Sequence, residues 1–260
     1  MNSVLKHIAC NQDMVGRYVF LPGAPERVPI IASYLEDAEK VAQNREHTTW
    51  TGYLEGEKVS VTSTGMGGPS SAICMEELVK CNAHTFIRIG GGAAIIDMQL
   101  GDLVIPTGAV KMEGTSRYYL PVEYPAVPDF SLVKALDDAA GRLGIKCYKG
   151  ISVTKDSFFA QTEPDRMPMA NELSKMWKQY ELGGAINTSM EEAALFTVAS
   201  VLRVRCASIH FCGSTQRKYQ NAKAFHLQDH EQIQVNAIKV GIEAMRDIII
   251  HDRSKNWKGV

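Results

Sequence analysis

Thr85–Ala94 has the sequence TFIRIGGGAA, in which a short apolar run surrounds one charge and leads into three consecutive glycines. Phe86, Ile87 and Ile89 are typical of a strand that is buried on both faces of a sheet. Arg88 lies inside that run, and burying a guanidinium without a partner is costly. Its charge must therefore meet an anion, and the motif leaves two choices open: a carboxylate of the protein or a bound ligand. The glycines predict a turn in which backbone N–H groups approach a small anion closely.

Two other glycine-rich segments also follow predicted strands. Pro22–Pro25 ends the first strand, and the helix that follows carries Arg27 in its first turn, where the helix dipole disfavours a cation. Thr64–Ser70 again opens a helix, with Pro69 suited to its first position. The free N–H groups at such junctions attract anions. The repetition predicts an anion site, although a solvent-exposed Arg27 is the simpler explanation for that one residue.

Strands and helices alternate along the chain without a break in composition. This pattern predicts an α/β fold, with one domain over residues 1–260 and a central twisted, mostly parallel or mixed sheet flanked by helices. Ser131 is expected to cap a helix, residues 160–175 to form a flap or irregular connection, and a final helix to run from about Phe225 to Ile250. Ligands of such sheets bind at the carboxyl ends of strands, where the glycine-rich segments fall.

The overall composition argues against several classes of protein. The chain has 260 residues, 45% of them hydrophobic, and a net charge of −1, which predicts a large core and no nucleic-acid partner. We expect no membrane association, because there is no polybasic run, no signal peptide and no apolar run of about 18 residues. The six cysteines form no CxxC pair, which indicates reduced thiols and a cytoplasmic location.

Five segments of the chain, in the right order, resemble the nucleoside phosphorylase family and in particular its uridine phosphorylase branch. The similarity covers nearly the whole chain, and the second and third segments are the most specific. The segments are PGAPERV (22–28), REHTTW (45–50), STGMGGPS (63–70), RIG (88–90) and ME (190–191).

A phosphate site is the first implication of this resemblance. Gly23, Arg27 and Arg88 would hold phosphate, Arg45 would enter from a neighbouring subunit, and Gly91 occupies a position where the family has a phosphate-contacting threonine. Phosphate is a poor nucleophile, so catalysis consists largely of positioning it beneath the anomeric carbon. Arginine forks supply the bidentate contacts for this task, which makes Arg88 an expected catalytic residue.

The resemblance also implies a ribose site. Met190 and Glu191 would bind the ribose hydroxyls, and Glu191 would help to stabilise positive charge on the sugar as a catalytic residue. His7 would reach the 5′-hydroxyl in the adjoining subunit. Without the family context, Glu191 and Glu192 are explained as well by acidic side chains that favour the start of a helix.

The base site is where the sequence departs from the family pattern. Phe158 matches an aromatic residue of the base pocket, but the Gln-x-Arg positions of the family hold other residues, namely Thr162, Glu163 and Pro164. Ser189 replaces a glutamate, and Gly213-Ser214 replaces an Asn-Arg pair. The candidate base-binding residues are Phe158, Gln161, Arg166 and Arg217.

Subunit contacts and cofactors follow from the same comparison. The resemblance implies a homo-oligomer, a dimer or a hexamer made of three dimers, because Arg45 and His7 would complete a partner's site. It also implies a monovalent cation between subunits, on Glu46, Ser70 and the Met66 carbonyl. No organic cofactor is expected, and inorganic phosphate is the co-substrate.

These observations predict an enzyme, a pentosyltransferase that cleaves the N-glycosidic bond of a uridine-like pyrimidine nucleoside with phosphate. The products would be the free base and ribose or deoxyribose 1-phosphate. Two alternatives stay open because of the altered base site. One is a phosphorylase for a different base, and the other is a weakly active or non-catalytic homologue that binds nucleosides.

Overall fold

The computed structural model of the chain describes residues 3–215 and 227–257. Nine strands form one mixed sheet in the described residues. In chain order they are β1 (Tyr18–Pro22), β2 (Glu36–Asn44), β3 (His47–Leu54), β4 (Glu57–Thr62), β5 (Thr85–Ala94), β6 (Leu103–Met112), β7 (Cys147–Lys155), β8 (Ala185–Ser189) and β9 (Arg205–Thr215).

Seven α-helices in the described residues flank this sheet. They are α1 (Arg27–Ala32), α2 (Gly68–Lys80), α3 (Phe130–Arg142), α4 (Phe158–Thr162), α5 (Ala170–Leu182), α6 (Glu192–Leu202) and α7 (Leu227–Ser254). Short 3₁₀ turns add Thr115–Tyr118 and Pro164–Arg166. Within the same residues, no helix combines the length and apolar character needed to cross a bilayer.

The sheet has the order β2-β3-β4-β1-β5-β8-β7-β6-β9, and β9 also pairs with β5. Five strands therefore close into a ring, from β5 through β8, β7, β6 and β9 and back to β5. The pairs β1–β4, β1–β5 and β5–β9 are parallel, so these four strands end at the same edge. The predicted α/β class with a mixed sheet is confirmed.

Strand β5 is central because helices cover both faces of the sheet beside it. Ile87 and Ile89 face one apolar core, which packs against α1, α3 and α7, whereas Phe86 faces a second core against α2 and α6. All three side chains are fully buried. The alternation follows from the two-residue period of a strand, and it explains the continuous apolar sequence.

The three glycines after Arg88 do not form a turn, contrary to the sequence prediction. They continue β5, and they pair in parallel with β9 from His210 to Cys212. Their missing side chains are needed for packing: a Cβ at Gly91 would lie 3.1 Å from the Phe211 ring, and one at Gly92 would lie 3.0 Å from Asn187. Sequence alone does not distinguish such close approach from a loop.

Two other local predictions were wrong, and a third lies partly outside the described residues. Asp129, rather than Ser131, caps α3 by accepting a hydrogen bond from the Leu132 N–H. Residues 160–175 include the end of α4, a 3₁₀ turn and the first part of α5. The predicted start of the last helix at Phe225 lies outside the described residues, and the helix runs to Ser254.

Candidate active site

A cavity of about 980 Å³ opens where the carboxyl ends of the strands meet. Residues that follow β1, β4 and β8 line it, together with the last residues of β5, β7 and β9. This is the position at which open α/β sheets bind ligands. Eleven of the predicted site residues line the cavity: Gly23, Arg27, Glu46, Met66, Ser70, Arg88, Gly91, Phe158, Gln161, Met190 and Glu191.

Arg88 reaches the cavity from the middle of β5 with its charge already matched. Its Nη2 donates to Glu191 Oε2 at 2.5 Å, and its Nε donates to Glu192 Oε1 at 2.9 Å. Burial would lower the pKa of Arg88, but the two carboxylates outweigh burial and raise it. Of the two choices left open by the sequence, the described contacts are with protein carboxylates. The side chain folds back over Gly90, where a Cβ would lie 3.0 Å from Nη2.

Glu191 joins three of the segments that carried the sequence argument. One carboxylate oxygen accepts from Arg88, and the other accepts from the Gly67 N–H at 2.9 Å. Gly67 has a φ of 86°, a backbone conformation that favours glycine, and this turn directs its N–H at the carboxylate. The Met190 N–H also lies 3.3 Å from Glu191 Oε2. Glu191 is therefore held at the cavity wall by groups from β5, the turn before α2 and the start of α6.

Arg27 lies in the same cavity and has a different environment. Its guanidinium stacks 5.1 Å from the centre of the Phe211 ring. In the described part of the chain, no carboxylate lies within ion-pair distance of it. Burial and the positive charge of Arg88 lower the pKa of Arg27 to about 10. Two arginines thus repel each other across one cavity, an arrangement that an anion between them would relieve.

Known proteins resemble this chain over most of its length. The sequence pattern of the Phosphorylase superfamily matches residues 17–244. The chain belongs to this superfamily. It is 42% identical over 248 residues to a uridine phosphorylase of Treponema pallidum, a match that covers 95% of both chains.

Two further relatives are named for different nucleosides. The chain is 42% identical to a uridine phosphorylase of Thermococcus kodakarensis, over 83% of this chain and 80% of the relative. It is also 36% identical to a guanosine phosphorylase of Halorubrum lacusprofundi, over 78% of this chain and 80% of the relative.

A buried polar network lies behind Arg88 and was not predicted from the sequence. Glu192 is fully buried, and one of its oxygens accepts from Arg88 Nε and lies within hydrogen-bonding distance of His210 Nε2. The other His210 ring nitrogen contacts the Asn187 amide at 2.7 Å. Burial would raise the pKa of Glu192, but His210 and Arg88 outweigh burial and lower it. Nothing in the spacing of these residues along the chain indicated this contact.

The three residues predicted to hold a cation all line the cavity, and two of them are in contact. Ser70 Oγ donates to Glu46 Oε1 at 2.7 Å, and this hydrogen bond lowers the pKa of Glu46. Gly65 has a φ of 71°, and a Cβ there would lie 2.6 Å from the Glu46 side chain. Met66 follows and is exposed. In the described residues, no group of three or more His, Cys, Asp or Glu side chains is placed to hold a metal ion.

The residues predicted to serve a neighbouring subunit lie outside the cavity of their own chain. His7 Nδ1 hydrogen-bonds Glu77 at 2.6 Å. Burial would raise the pKa of Glu77, but the Ile8 N–H and His7 outweigh burial and lower it. Arg45 lies in the turn between β2 and β3 with a φ of 53°.

Two of the four base-binding candidates line the cavity. Phe158 and Gln161 line the cavity from α4, whereas Arg166 does not. Arg166 instead pairs with Glu163 and stacks 5.1 Å from the centre of the Phe159 ring. Arg217 lies outside the described residues.

A third cation in the cavity was not anticipated from the sequence. Lys155 ends β7, is 3% exposed, and lines the cavity beside β8. Its Nζ donates to Thr188 Oγ1 at 3.0 Å and to the Ser189 carbonyl at 3.4 Å. A charged residue after a strand was the available signal, but lysines at strand ends are ordinarily solvated.

Proposed function

We propose that the chain is a pentosyltransferase that cleaves the N-glycosidic bond of a pyrimidine nucleoside with inorganic phosphate. The observation that carries the proposal is the convergence of Arg27, Arg88 and Glu191 on one cavity at the strand ends. Relatives named uridine phosphorylase cover up to 95% of the chain and support the choice of nucleoside.

The phosphate subsite lies on the Arg27 side of the cavity. Gly23 brings the backbone close to Arg88, since a Cβ there would lie 3.7 Å from Nη2. Arg27 has no carboxylate within ion-pair distance among the described residues, so its charge is available to a dianion. Arg45 of a neighbouring subunit completes the site. The Phe211 ring fills the space beside Gly91, so this position supplies no hydroxyl donor.

The ribose subsite lies at the start of α6. Glu191 is fixed by Arg88 and Gly67, and its carboxylate accepts hydrogen bonds from the sugar hydroxyls, with the Met190 backbone beside it. His7 reaches the 5′-hydroxyl from the neighbouring subunit. A fixed carboxylate near the sugar stabilises the positive charge that develops at the anomeric carbon.

The reaction is a substitution at that carbon. The C1′–N bond breaks with its electron pair going to the base, and a phosphate oxygen forms the new C1′–O bond. The arginines hold the nucleophile in line, which replaces a costly bimolecular encounter by a positioned one. The products are the base and a pentose 1-phosphate.

A second candidate is a phosphorylase that acts on another base. The guanosine phosphorylase relative favours it, as does Arg166, which lies outside the cavity. Both candidates use the same phosphate and ribose subsites. They differ only in which nucleoside is consumed.

We also propose a homo-oligomer with a monovalent cation near the subunit boundary, held by Glu46, Ser70 and the Met66 carbonyl. The direct Ser70–Glu46 hydrogen bond brings two of these ligands together. The single domain over residues 1–260 and the cytoplasmic location stay predictions.

The test measures base release from uridine and guanosine with and without phosphate, and it identifies the sugar product. We expect uridine to be consumed only with phosphate and to give ribose 1-phosphate. Arg27→Met should raise KM for phosphate by about tenfold or more, because a charged hydrogen bond is lost. Arg142→Met is the matched control, since Arg142 is exposed on α3 and pairs with Asp247.

Three outcomes would contradict the proposal. Equal rates of base release without phosphate would indicate a hydrolase. A strong preference for guanosine would select the second candidate. Calorimetric binding of nucleosides without turnover across a panel of bases would indicate a non-catalytic homologue.

A further inference from the structure

Lys155 is a buried lysine without an ion-pair partner in the described residues. Its two protein contacts are the Thr188 hydroxyl and the Ser189 carbonyl, both on β8. An ammonium group has three N–H donors, so these contacts leave one donor for the cavity that Lys155 lines.

This placement is expensive for a purely structural residue. Burial disfavours the charged amine and lowers the pKa of Lys155 to about 8, although the charges of Glu191 and Glu192 act in the opposite direction. Lysines are seldom buried without a paired charge. Buried charges in a cavity indicate a functional position more often than a structural one.

Two other polar side chains that line the cavity also have an atom without a hydrogen-bond partner among the described residues. Ser189 Oγ and Gln161 Oε1 are buried and have no hydrogen-bond partner among the described residues. Both side chains line the cavity with Lys155 and are more than nine-tenths buried. Buried polar atoms in native proteins are ordinarily paired. Three such groups in one cavity indicate a polar ligand.

Among the described residues, Lys155 is also the lining cation that is neither paired with a carboxylate nor stacked on an aromatic ring. Besides Lys155, the cationic residues among the described lining are Arg27 and Arg88. Arg88 is paired with two glutamates, and Arg27 stacks on Phe211. Of the two cations expected from the sequence, Arg166 lies outside the cavity and pairs with Glu163, and Arg217 is outside the described residues.

We propose that Lys155 hydrogen-bonds a carbonyl oxygen of the nucleobase and stabilises the negative charge that the base gains as the C1′–N bond breaks. This inference rests on the proposed phosphorolysis. The electron pair of the broken bond stays on the base, and the phosphate oxygen takes its place on C1′. Lys155 keeps its proton, and solvent water protonates the released base.

The chemistry of the three groups matches a pyrimidine-2,4-dione, the ring of uracil and thymine. Such a base offers two carbonyl acceptors and one N–H donor. Lys155 and Ser189 donate to carbonyl oxygens, and Gln161 Oε1 accepts from the ring N–H. A site built from hydrogen bonds rejects bases that leave its groups unpaired.

The experiment compares uridine with 5-fluorouridine, whose base is a more stable anion. Lys155→Met should lower kcat for uridine by about 100-fold, a loss of the size seen when one charge-stabilising donor is removed. The loss with 5-fluorouridine should be about tenfold smaller, because that base needs less help. Lys155→Arg should restore part of the uridine rate and keep it at pH 9, where the wild-type lysine loses its proton. KM for phosphate should stay unchanged.

Lys111→Met is the matched control. Lys111 is also a buried lysine, but its Nζ donates to the Pro121 carbonyl and it does not line the cavity. This variant should leave the ratio between the two substrates unchanged. If Lys155→Met slows both substrates equally, the lysine only supports β8 and the proposal is wrong.

Binding of free 5-fluorouracil, measured by calorimetry, is a readout that does not depend on turnover. Lys155→Met should weaken it by about tenfold, and equal affinities for wild type and variant would overturn the proposal. If the wild type binds the base through Lys155 but turns over no nucleoside, the proposed function fails while the role of Lys155 in base binding stands.

Discussion

Two basic side chains in the cavity differ in their partners: Arg88 is paired with carboxylates, and Lys155 has neutral hydrogen-bond partners. Arg88 cannot lose its proton in a protein, and it is matched by Glu191 and Glu192. Lys155 can lose its proton, and its hydrogen-bond partners among the described residues are a hydroxyl and a carbonyl. The arginine is therefore suited to a permanent structural and anion-binding role. The lysine is suited to a task in which charge develops nearby during a reaction.

The burial of Lys155 predicts a cost in stability. In the protein without ligands, Lys155→Met should raise the free energy of unfolding by about 1 to 3 kcal/mol at pH 7, because a buried charge is replaced by an apolar side chain of similar length. Its pKa is about 8 when folded and is higher when unfolded. Below pH 8 both states hold the proton, so the cost is complete there.

Above pH 8 the folded protein releases this proton before the unfolded chain does. The wild type therefore gains stability relative to the variant as the pH rises from about 8 to about 10. Urea unfolding of both proteins at pH 7 and pH 9.5 measures the difference. A gap between the two proteins that is constant with pH, or a less stable variant at pH 7, would contradict the assignment of a buried charged lysine.

At the scale of elements, β5 and β9 pack closely where a glycine of one strand faces an aromatic ring of the other. Gly91 on β5 leaves room for the ring of Phe211 on β9, and that ring supports Arg27 at a distance of 5.1 Å from its centre. The glycine here is therefore explained by the aromatic residue on the neighbouring strand, and the two positions should be coupled.

Replacing that glycine tests the coupling. Gly91→Thr should lower the free energy of unfolding by about 1 to 3 kcal/mol, because its side chain would overlap the ring of Phe211. Adding Phe211→Val should make the combined loss smaller than the sum of the single losses by about 0.5 kcal/mol or more. Urea unfolding of the single and double variants measures this. Gly141→Thr is the control, since a Cβ there meets nothing within 4 Å.

Strictly additive losses for Gly91→Thr and Phe211→Val would show that the two strands are not coupled through this contact. A double variant that is less stable than the sum would contradict the packing argument as well.

At the scale of the whole molecule, the site is assembled from residues far apart in sequence. The sheet order brings the ends of β1, β5 and β8 together, so Arg27 and Glu191 line the same cavity although more than half of the chain separates them in sequence. Arg45 lies outside its own cavity, which is consistent with a site completed by a second copy. Symmetric dimers exchange such residues reciprocally.

Mixed oligomers test this exchange. Arg45 has a φ of 53°, which asparagine tolerates, so Arg45→Asn should fold normally but bind phosphate about tenfold more weakly. Arg27→Met should weaken phosphate binding to a similar degree, because Arg27 is the contribution of the other subunit to the same site. In co-expressed mixed dimers, one site combines an intact Arg27 with an intact Arg45 from its partner.

Random pairing would restore about a quarter of the wild-type sites, measured as phosphorolysis at low phosphate. The variants purified separately and assayed together without subunit exchange are the control. A mixture that shows only the average of the two variants would indicate that Arg45 acts within its own chain.

The sequence alone predicted the fold class and most strands and helices. Apolar runs, caps and glycine-rich junctions are local patterns, so they specify elements before any tertiary contact forms. The same local patterns indicated Arg27, Arg88 and the turns at the strand ends, whereas Glu191 was predicted from the family resemblance. Their meeting in one cavity follows from a parallel sheet, in which the carboxyl ends share an edge.

Only the tertiary structure decided how those groups are paired. Three features depend on neighbours that lie far away in the sequence. They are the strand conformation of Gly91, the contact of Glu192 with His210 and the burial of Lys155. Close packing and desolvation arise between elements, and no local pattern encodes them. For this chain, local chemistry indicated several of the residues that line the cavity, and the packing of strands determined which of their charges are already matched and which are available to a ligand.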